Sequence, residues 1–216
     1  VVTLTINAAM ESTRTYITHD EEGYHAEWNN GDKLAIAIDG NYSSRKTFTN
    51  QSADGEDGSF TGSVDVTEGE HSLAGFYPQT ISTNRSDAAF DFTIPVSQTL
   101  PSLNSFDKGA DVLIAKPATV TVDGTKLSTV EMKFRRATTI LKVIPEDVTS
   151  ESLLSGLKVK SIGITSGSDV IAGRSLKCYL DESQEDALVL TNSASSKTVS
   201  ASYSGDDFEI NGENAA

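Results

Sequence analysis

Apolar and polar residues alternate along most of the chain. At its start, single polar residues separate the apolar residues Val2, Leu4 and Ile6. The same period of two recurs in short runs as far as residue 203, and it includes Ile140 with Val143. Alternation of this kind buries one face of a pleated strand and leaves the other face in water. The pattern therefore predicts many short β-strands.

Turn-forming pairs separate these runs. Asn-Gly and Asp-Gly pairs favour the left-handed backbone conformations of tight turns, and they occur at Asn30-Gly31, Asp39-Gly40, Asp54-Gly55, Asp57-Gly58, Asp123-Gly124 and Asn211-Gly212. Only residues 150–157 (SESLLSGL) offer a candidate for one or two helical turns. Many short strands at fairly even spacing are typical of a sandwich or a barrel, so we predict an all-β protein with little helix.

The length of the chain suits two modest domains. It has 216 residues, and a strand-like run at Val120 and Val122 ends in the Asp123-Gly124 turn. The next run, residues 130–145, is the most hydrophobic and basic stretch up to that point. We therefore predict an N-terminal β-sandwich domain over residues 1–126 and a C-terminal one over residues 127–216, both of ordinary domain size.

Charge and cysteine content exclude several classes. Thirty-one acidic and 17 basic residues give a net charge of −14. Such a surface repels phosphate backbones and anionic lipid, so no nucleic-acid partner is expected. The single cysteine, Cys178, allows no disulfide within the chain. No apolar run is long enough for a transmembrane helix. No signal peptide is recognised, and a mature exported protein would also lack one.

No constellation of residues points to catalysis. The chain has no P-loop, no GxGxxG and no GxSxG elbow. Its three histidines, His19, His25 and His71, form neither HxH nor HExxH, and Cys178 is read as a small buried hydrophobe. The acidic run 54–58 (DGEDG) has three carboxylates but lacks the spacing of a calcium loop, so a solvated turn is predicted. We expect no catalytic residue, no metal ligand and no cofactor, and we predict that the protein is not an enzyme.

Aromatic side chains leave two functions open. The only tryptophan, Trp28, could stack on a sugar or pack in the core beside the Asn30-Gly31 turn, and we expect core packing. The tyrosines that could add stacking rings are Tyr16, Tyr24, Tyr42 and Tyr77. Together these rings motivate an alternative function, a surface glycan-binding lipoprotein.

An ordered set of short motifs carries a family resemblance. In chain order they are STRT (12–15), WNNGDKL (28–34), FYP (76–78), IPVSQT (94–99), ADVLIA (110–115), MKFRRA (132–137) and ILKV (140–143). This set resembles the fimbrillin-like proteins of the Bacteroidales, which are fimbrial subunits, and it covers residues 1–145. The resemblance implies two transthyretin-like β-sandwich domains, export as a lipoprotein, and a place at the cell surface or outer membrane in a fimbrium.

The resemblance also implies how such a subunit assembles. An arginine-specific protease removes the first strand, and a donor strand from another subunit fills the exposed groove. Carried over to this chain, the exchangeable strand is residues 1–8, with Val2, Leu4 and Ile6 as its buried plugs, and the cut follows Arg14. Arg45 and Arg85, which we place in loops, are competing cut sites. The implied partners are other fimbrial subunits, the processing protease, and a host protein or glycan.

One part of the chain departs from the family pattern. Residues 208–216 (FEINGENAA) lack the long strand that a main-shaft donor carries. We therefore expect either a truncated chain at this end, or an accessory, tip or non-polymerising subunit.

Overall fold

The structure is a computed structural model. It describes residues 1–10, 16–20, 23–55, 57–80, 89–101, 105–124, 128–148, 151, 153–173, 175–179, 188–190, 196–204 and 208–210. These residues contain no α-helix and one 3-10 turn, Lys108–Ala110. Turns occupy residues 153–156 of the segment for which helical turns were considered. The predicted all-β class is confirmed.

The strands are numbered in chain order. They are β1 (Val2–Met10), β2 (Tyr16–Asp20), β3 (Gly23–Glu27), β4 (Lys33–Ile38), β5 (Asn41–Asn50), β6 (Gly58–Val64), β7 (Gly69–Tyr77), β8 (Ala89–Thr93), β9 (Ser97–Leu100), β10 (Leu113–Val122), β11 (Ser128–Arg136), β12 (Lys158–Val159), β13 (Ser161–Thr165), β14 (Ser175–Tyr179), β15 (Leu188–Leu190), β16 (Thr198–Tyr203) and β17 (Phe208–Glu209).

Seven strands close into a barrel. Their order around it is β1-β11-β10-β7-β4-β5-β6, and the circle closes because β1 also pairs with β6. Alternate residues of these strands point inward and form the larger apolar core, and a second buried cluster, which includes Phe76 and Ile114, lies on the other face of β4, β7 and β10. The largest fully buried side chains of the larger core include Trp28, Phe48, Phe60 and Phe134. With the circle closed, each of the seven strands has a paired neighbour on both sides, although β5 and β6 pair only at Thr49–Thr61 and Asn50–Phe60. Closing a sheet in this way limits uncontrolled strand pairing.

The predicted turns bring neighbouring barrel strands together. Asp39 and Gly40 connect β4 to β5 with φ angles of 50° and 69°, a conformation that Asp tolerates and Gly adopts freely. Gly31 and Gly124 also have positive φ angles. Each of these three predicted signals lies in a turn of the structure.

The remaining strands form smaller sheets. Their orders are β15-β14-β8, β13-β16-β9 and β12-β17, and β2 pairs with β3 as a hairpin. Strand pairing does not follow the predicted division at residues 126 and 127. Strand β11 completes the barrel although it follows residue 127, and β8 and β9 pair with strands from the last third of the chain. Pairing alone does not decide which residues fold independently, so the domain boundary stays a prediction.

The strand predicted at Ile140 and Val143 is absent. Residues 139–148 belong to no strand, and the side chain of Leu141 is 66% exposed. Alternation indicates which face a strand would bury, but a strand also needs a neighbour with a matching edge. Neither Ile140 nor Val143 pairs with such a neighbour among the described strands.

Candidate functional site at the first strand

Strand β1 occupies the position that closes the barrel. Seven of its residues pair with antiparallel β6, from Val2 opposite Val64 to Ala8 opposite Gly58. Seven pair with parallel β11, from Leu4 opposite Ser128 to Met10 opposite Phe134. The strand is therefore held along both edges, and without it β6 and β11 would each present an unpaired edge. We call the space that β1 fills between β6 and β11 the β1 groove.

The inward side chains of β1 fill the groove completely. Val2, Leu4 and Ile6 are 6%, 1% and 0% exposed. Their burial agrees with the alternation read from the sequence. Ala8 is 1% exposed and is a fourth inward residue, which the sequence analysis included in the strand but not among its plugs. Burying an aliphatic side chain of this size contributes ~1.5–3 kcal/mol, so the three larger plugs contribute on the order of 5–9 kcal/mol before ordering costs.

Aromatic rings line the core beside the groove. Trp28 makes edge-to-face contacts with Phe60, Tyr77 and Phe134, at centroid distances of 4.9, 5.7 and 5.6 Å. Trp28 is fully buried, which confirms the predicted core packing. Its indole N–H has no hydrogen-bond partner among the described residues. Burial, with the nearby charges of Asp32 and Asp111, raises the pKa of the Tyr77 phenol, so Tyr77 stays neutral.

Two glycines of β6 make room for these rings. Gly62 pairs with Leu4, and a Cβ atom added to it would lie 2.6 Å from the Phe48 ring. Gly58 pairs with Ala8, and an added Cβ would lie 2.9 Å from the Trp28 ring. Contacts this short do not occur for real side chains. On the β6 side, the groove is therefore lined by glycine at these two positions, which alternate with the buried side chains of Phe60 and Val64.

Polar contacts on β1 lie outside the barrel. The Asn7 side chain donates a 2.7 Å hydrogen bond to Glu131 of β11. The N-terminal ammonium of Val1 lies 3.9 Å from Asp65, and both groups are largely exposed. Exposed ion pairs contribute little to stability, so burial and strand pairing hold β1 in place.

The predicted cut site lies outside the described residues. Arg14 and the competing Arg85 fall in segments that the structure does not describe. The placement of Arg45 in a loop was wrong, because Arg45 lies within β5. The residue pattern SSRKT around it is polar and resembles a loop, but polar residues also fit the outer face of a barrel strand.

The residues that the sequence offered as metal ligands or catalytic groups either have structural roles or lie in strands whose side chains are not described. Asp54 accepts a 2.6 Å hydrogen bond from the backbone N–H of Asn30, and Gly55 pairs with Trp28. No group of three potential metal ligands occurs among the described residues. His19, His25 and Cys178 lie in β2, β3 and β14, where the side chains are outside the description.

A second feature was missed by the sequence analysis. Arg136 donates two hydrogen bonds to the carboxylate of Asp111, at 2.5 and 3.0 Å, and the side chains of Asp111 and Arg136 are 1% and 10% exposed. The guanidinium also lies 5.8 Å from the centre of the Phe106 ring. Burial raises the pKa of Asp111, although Arg136 and Thr138 act in the opposite direction. The ADVLIA and MKFRRA motifs contain these residues, but nothing in the sequence pairs them.

The Asp111–Arg136 pair lies beside a cleft of about 600 Å³. One wall is the apolar face of the β13-β16-β9 sheet, including Ile162, Val199 and Tyr203. The other wall lies in residues 139–148, which are in no strand, and includes Leu141 and Val143.

Comparisons with known proteins identify no relative. A scan against protein-family models and searches of curated proteins and of solved structures find no match to this chain. The resemblance to fimbrillin-like proteins therefore depends on the ordered motifs given above. Within the described part of the chain, no helix is long and apolar enough to cross a membrane.

Proposed function

We propose that this protein is a structural or adhesive fimbrial subunit that assembles by donor-strand exchange at the β1 groove. One observation carries the proposal. The first strand of the chain closes the barrel between two strands that come later in the sequence, and it fills the core with four inward side chains. Because β1 precedes Arg14 and every other strand follows it, a single cut after Arg14 would separate β1 from the rest of the barrel along the chain without breaking any other strand.

The physics of an emptied groove favours capture of another strand. Loss of β1 would expose unpaired backbone N–H and C=O groups on β6 and β11, together with apolar core surface. An incoming strand with alternating apolar residues would restore both the hydrogen bonds and the buried surface. Strand pairing would supply affinity, and the positions now filled by Val2, Leu4, Ile6 and Ala8 would fix the register.

The rest of the proposal follows from the family resemblance. The subunit would be an exported lipoprotein of the cell surface or outer membrane, with two transthyretin-like domains. Its partners would be other fimbrial subunits and an arginine-specific processing protease, and a host protein or glycan for an adhesive subunit. No enzymatic activity is proposed.

Limited digestion with an arginine-specific protease tests the processing step. We expect a single early cut after Arg14, seen by intact mass, in a barrel that stays folded. Arg14→Lys keeps the charge but removes the recognised residue, so this variant should resist the cut. A first cut at any other arginine, or equal cutting of Arg14→Lys, would contradict processing at Arg14.

The alternative glycan-binding function has less support. Three of its five proposed stacking rings, Trp28, Tyr42 and Tyr77, are buried and cannot lie against a sugar while the barrel is folded. The side chains of Tyr16 and Tyr24 lie outside the description. A glycan array with the intact protein separates the two functions, because saturable sugar binding would favour the alternative.

A further inference from the structure

His71 connects three parts of the barrel. It lies on β7, and its side chain is 11% exposed. Ring atom Nδ1 lies 2.7 Å from a carboxylate oxygen of Asp39, in the turn between β4 and β5. Ring atom Nε2 lies 2.9 Å from the carbonyl oxygen of Thr67, in the loop between β6 and β7.

The two contacts specify the protonation state of His71. A carboxylate oxygen and a carbonyl oxygen are both acceptors, so both ring nitrogens must donate. A neutral imidazole has one N–H and can make only one of the two hydrogen bonds, whereas the imidazolium makes both. Asp39 is itself held in place, because its other carboxylate oxygen accepts a 2.9 Å hydrogen bond from the backbone N–H of Ser72.

The electrostatics agree with this geometry. The hydrogen bonds to Asp39 and Thr67 raise the pKa of His71. Burial by itself would raise the pKa of Asp39, but the bonds from His71 and Ser72 outweigh it and lower that pKa. The interaction is therefore complete between the ordinary pKa values of the two groups, 3.8 for Asp39 and 6.5 for His71. It is lost as pH rises through the raised pKa of His71, or falls through the lowered pKa of Asp39.

The other charges near His71 do not replace Asp39. Asp65 and Glu68 lie in the β6–β7 loop, Glu70 precedes His71 on β7, and Asp123 lies in the β10–β11 turn. All are acidic, and the pairing partner of His71 on β10 is the uncharged Val120. The N-terminal ammonium of Val1 lies by Asp65. Of the described charged groups, Asp39 is the one that acts on the pKa of His71.

The β6–β7 loop lies at the end of the barrel where β1 begins. Val2 of β1 pairs with Val64, the last residue of β6, and the Val1 ammonium approaches Asp65 of the loop. Val66 of the loop packs against the barrel core. The carbonyl that His71 holds belongs to the next residue, Thr67.

We propose that protonated His71 is a pH-sensitive clamp that holds the β6–β7 loop across this end of the barrel and slows the release of β1. At pH values above the pKa of His71, the neutral ring gives up one of its two hydrogen bonds and the β6–β7 loop is held less firmly beside the start of β1. The clamp itself follows from the geometry of the barrel. Its role in strand exchange rests on the proposed function.

Nitrogen NMR of the histidine rings in the intact chain tests the clamp. Below its titration midpoint His71 should show both ring nitrogens protonated, and the midpoint should lie above the 6.5 of an ordinary histidine. Asp39→Asn should move the midpoint down toward that value, because the carboxylate is lost. A midpoint at or below 6.5, or one that Asp39→Asn leaves unchanged, would overturn the clamp.

Hydrogen exchange of the β1 amides tests the link to strand release. Protection factors, corrected for the intrinsic effect of pH, are compared between wild type and His71→Gln on either side of the midpoint. Below it, wild type should be better protected by up to about fivefold, as for a partly exposed charged pair, and above it the two should converge. His19→Gln is the control and should match wild type. The link would be overturned if the β1 amides of wild type were no better protected than those of His71→Gln below the midpoint, or were better protected by the same factor at both pH values.

Neither measurement uses a protease or a donor strand. Failure of the clamp would therefore leave the proposed function standing, and failure of processing at Arg14 would leave the clamp standing.

Discussion

At the scale of single residues, Gly62 has the most closely defined role. It lies on β6 opposite Leu4, and an added Cβ would lie 2.6 Å from the fully buried Phe48 ring. We expect Gly62→Ala to lower the free energy of unfolding by ~1–3 kcal/mol, as overpacking of a core does. Gly163→Ala is the matched control, because Gly163 also lies in a strand and an added Cβ there meets open space. Equal denaturant midpoints for the two variants would contradict the packing argument.

Arg136 supplies a second prediction, which concerns a buried charge. Arg136→Met would leave the Asp111 carboxylate buried without its guanidinium, so we expect a loss of ~3–5 kcal/mol in the free energy of unfolding near neutral pH. Arg135→Met removes a positive charge from the same strand but leaves the Asp111–Arg136 pair intact, so it should cost much less.

The pH dependence of Arg136→Met has a defined sign. Burial raises the pKa of Asp111, and loss of Arg136 removes an influence that lowers it. A carboxyl group with a raised pKa in the folded state takes up a proton on folding, so stability relative to wild type should recover as pH falls. Denaturation series at several pH values check this, and a deficit that stays constant or grows at low pH would contradict it.

Sequence reasoning succeeded at residues whose role is local. A lone tryptophan beside an Asn-Gly turn and a strand was expected in the core, and Trp28 is there. The sequence did not predict the Asp111–Arg136 pair or the His71–Asp39 clamp, because the paired residues are 25 and 32 positions apart. The polarity of a residue does not specify its partner across the fold.

At the scale of elements, β1 yields a prediction about its two faces. Ile6 is fully buried, so Ile6→Ala should cost ~2–5 kcal/mol in the free energy of unfolding. Thr3 faces outward on the same strand, and Thr3→Ala should cost about 0.5 kcal/mol or less. Chemical denaturation measures both. Similar losses at the two positions would mean that β1 does not present one face to the core.

Alternation in the sequence located β1 and its buried face but not its neighbours. Pairing with β6 and β11 joins residues about 50 to 125 positions apart, and a period of two contains no information about which strand lies alongside. The same limit explains the error at Ile140 and Val143, where the pattern was present and a pairing partner was not.

At the scale of the whole molecule, closure of the barrel connects the fold to the proposed function. The all-β class followed from alternation and turn pairs, whereas the barrel depends on its first strand being inserted between two later ones. A subunit built in this way can lose β1 only by exposing its core. Cleavage alone should therefore leave β1 bound until another strand displaces it.

Energy transfer from Trp28 to a labelled strand tests strand exchange most directly. Trp28 is the only tryptophan and contacts Phe60, the residue that pairs with Ile6. Protein cut after Arg14 is incubated with an excess of a dansyl-labelled peptide of residues 1–10, with uncut protein and a Leu4→Asp, Ile6→Asp peptide as controls. We predict transfer from Trp28 only for the cut protein with the unaltered peptide. Absence of transfer there, or equal transfer with the altered peptide, would contradict exchange at the β1 groove.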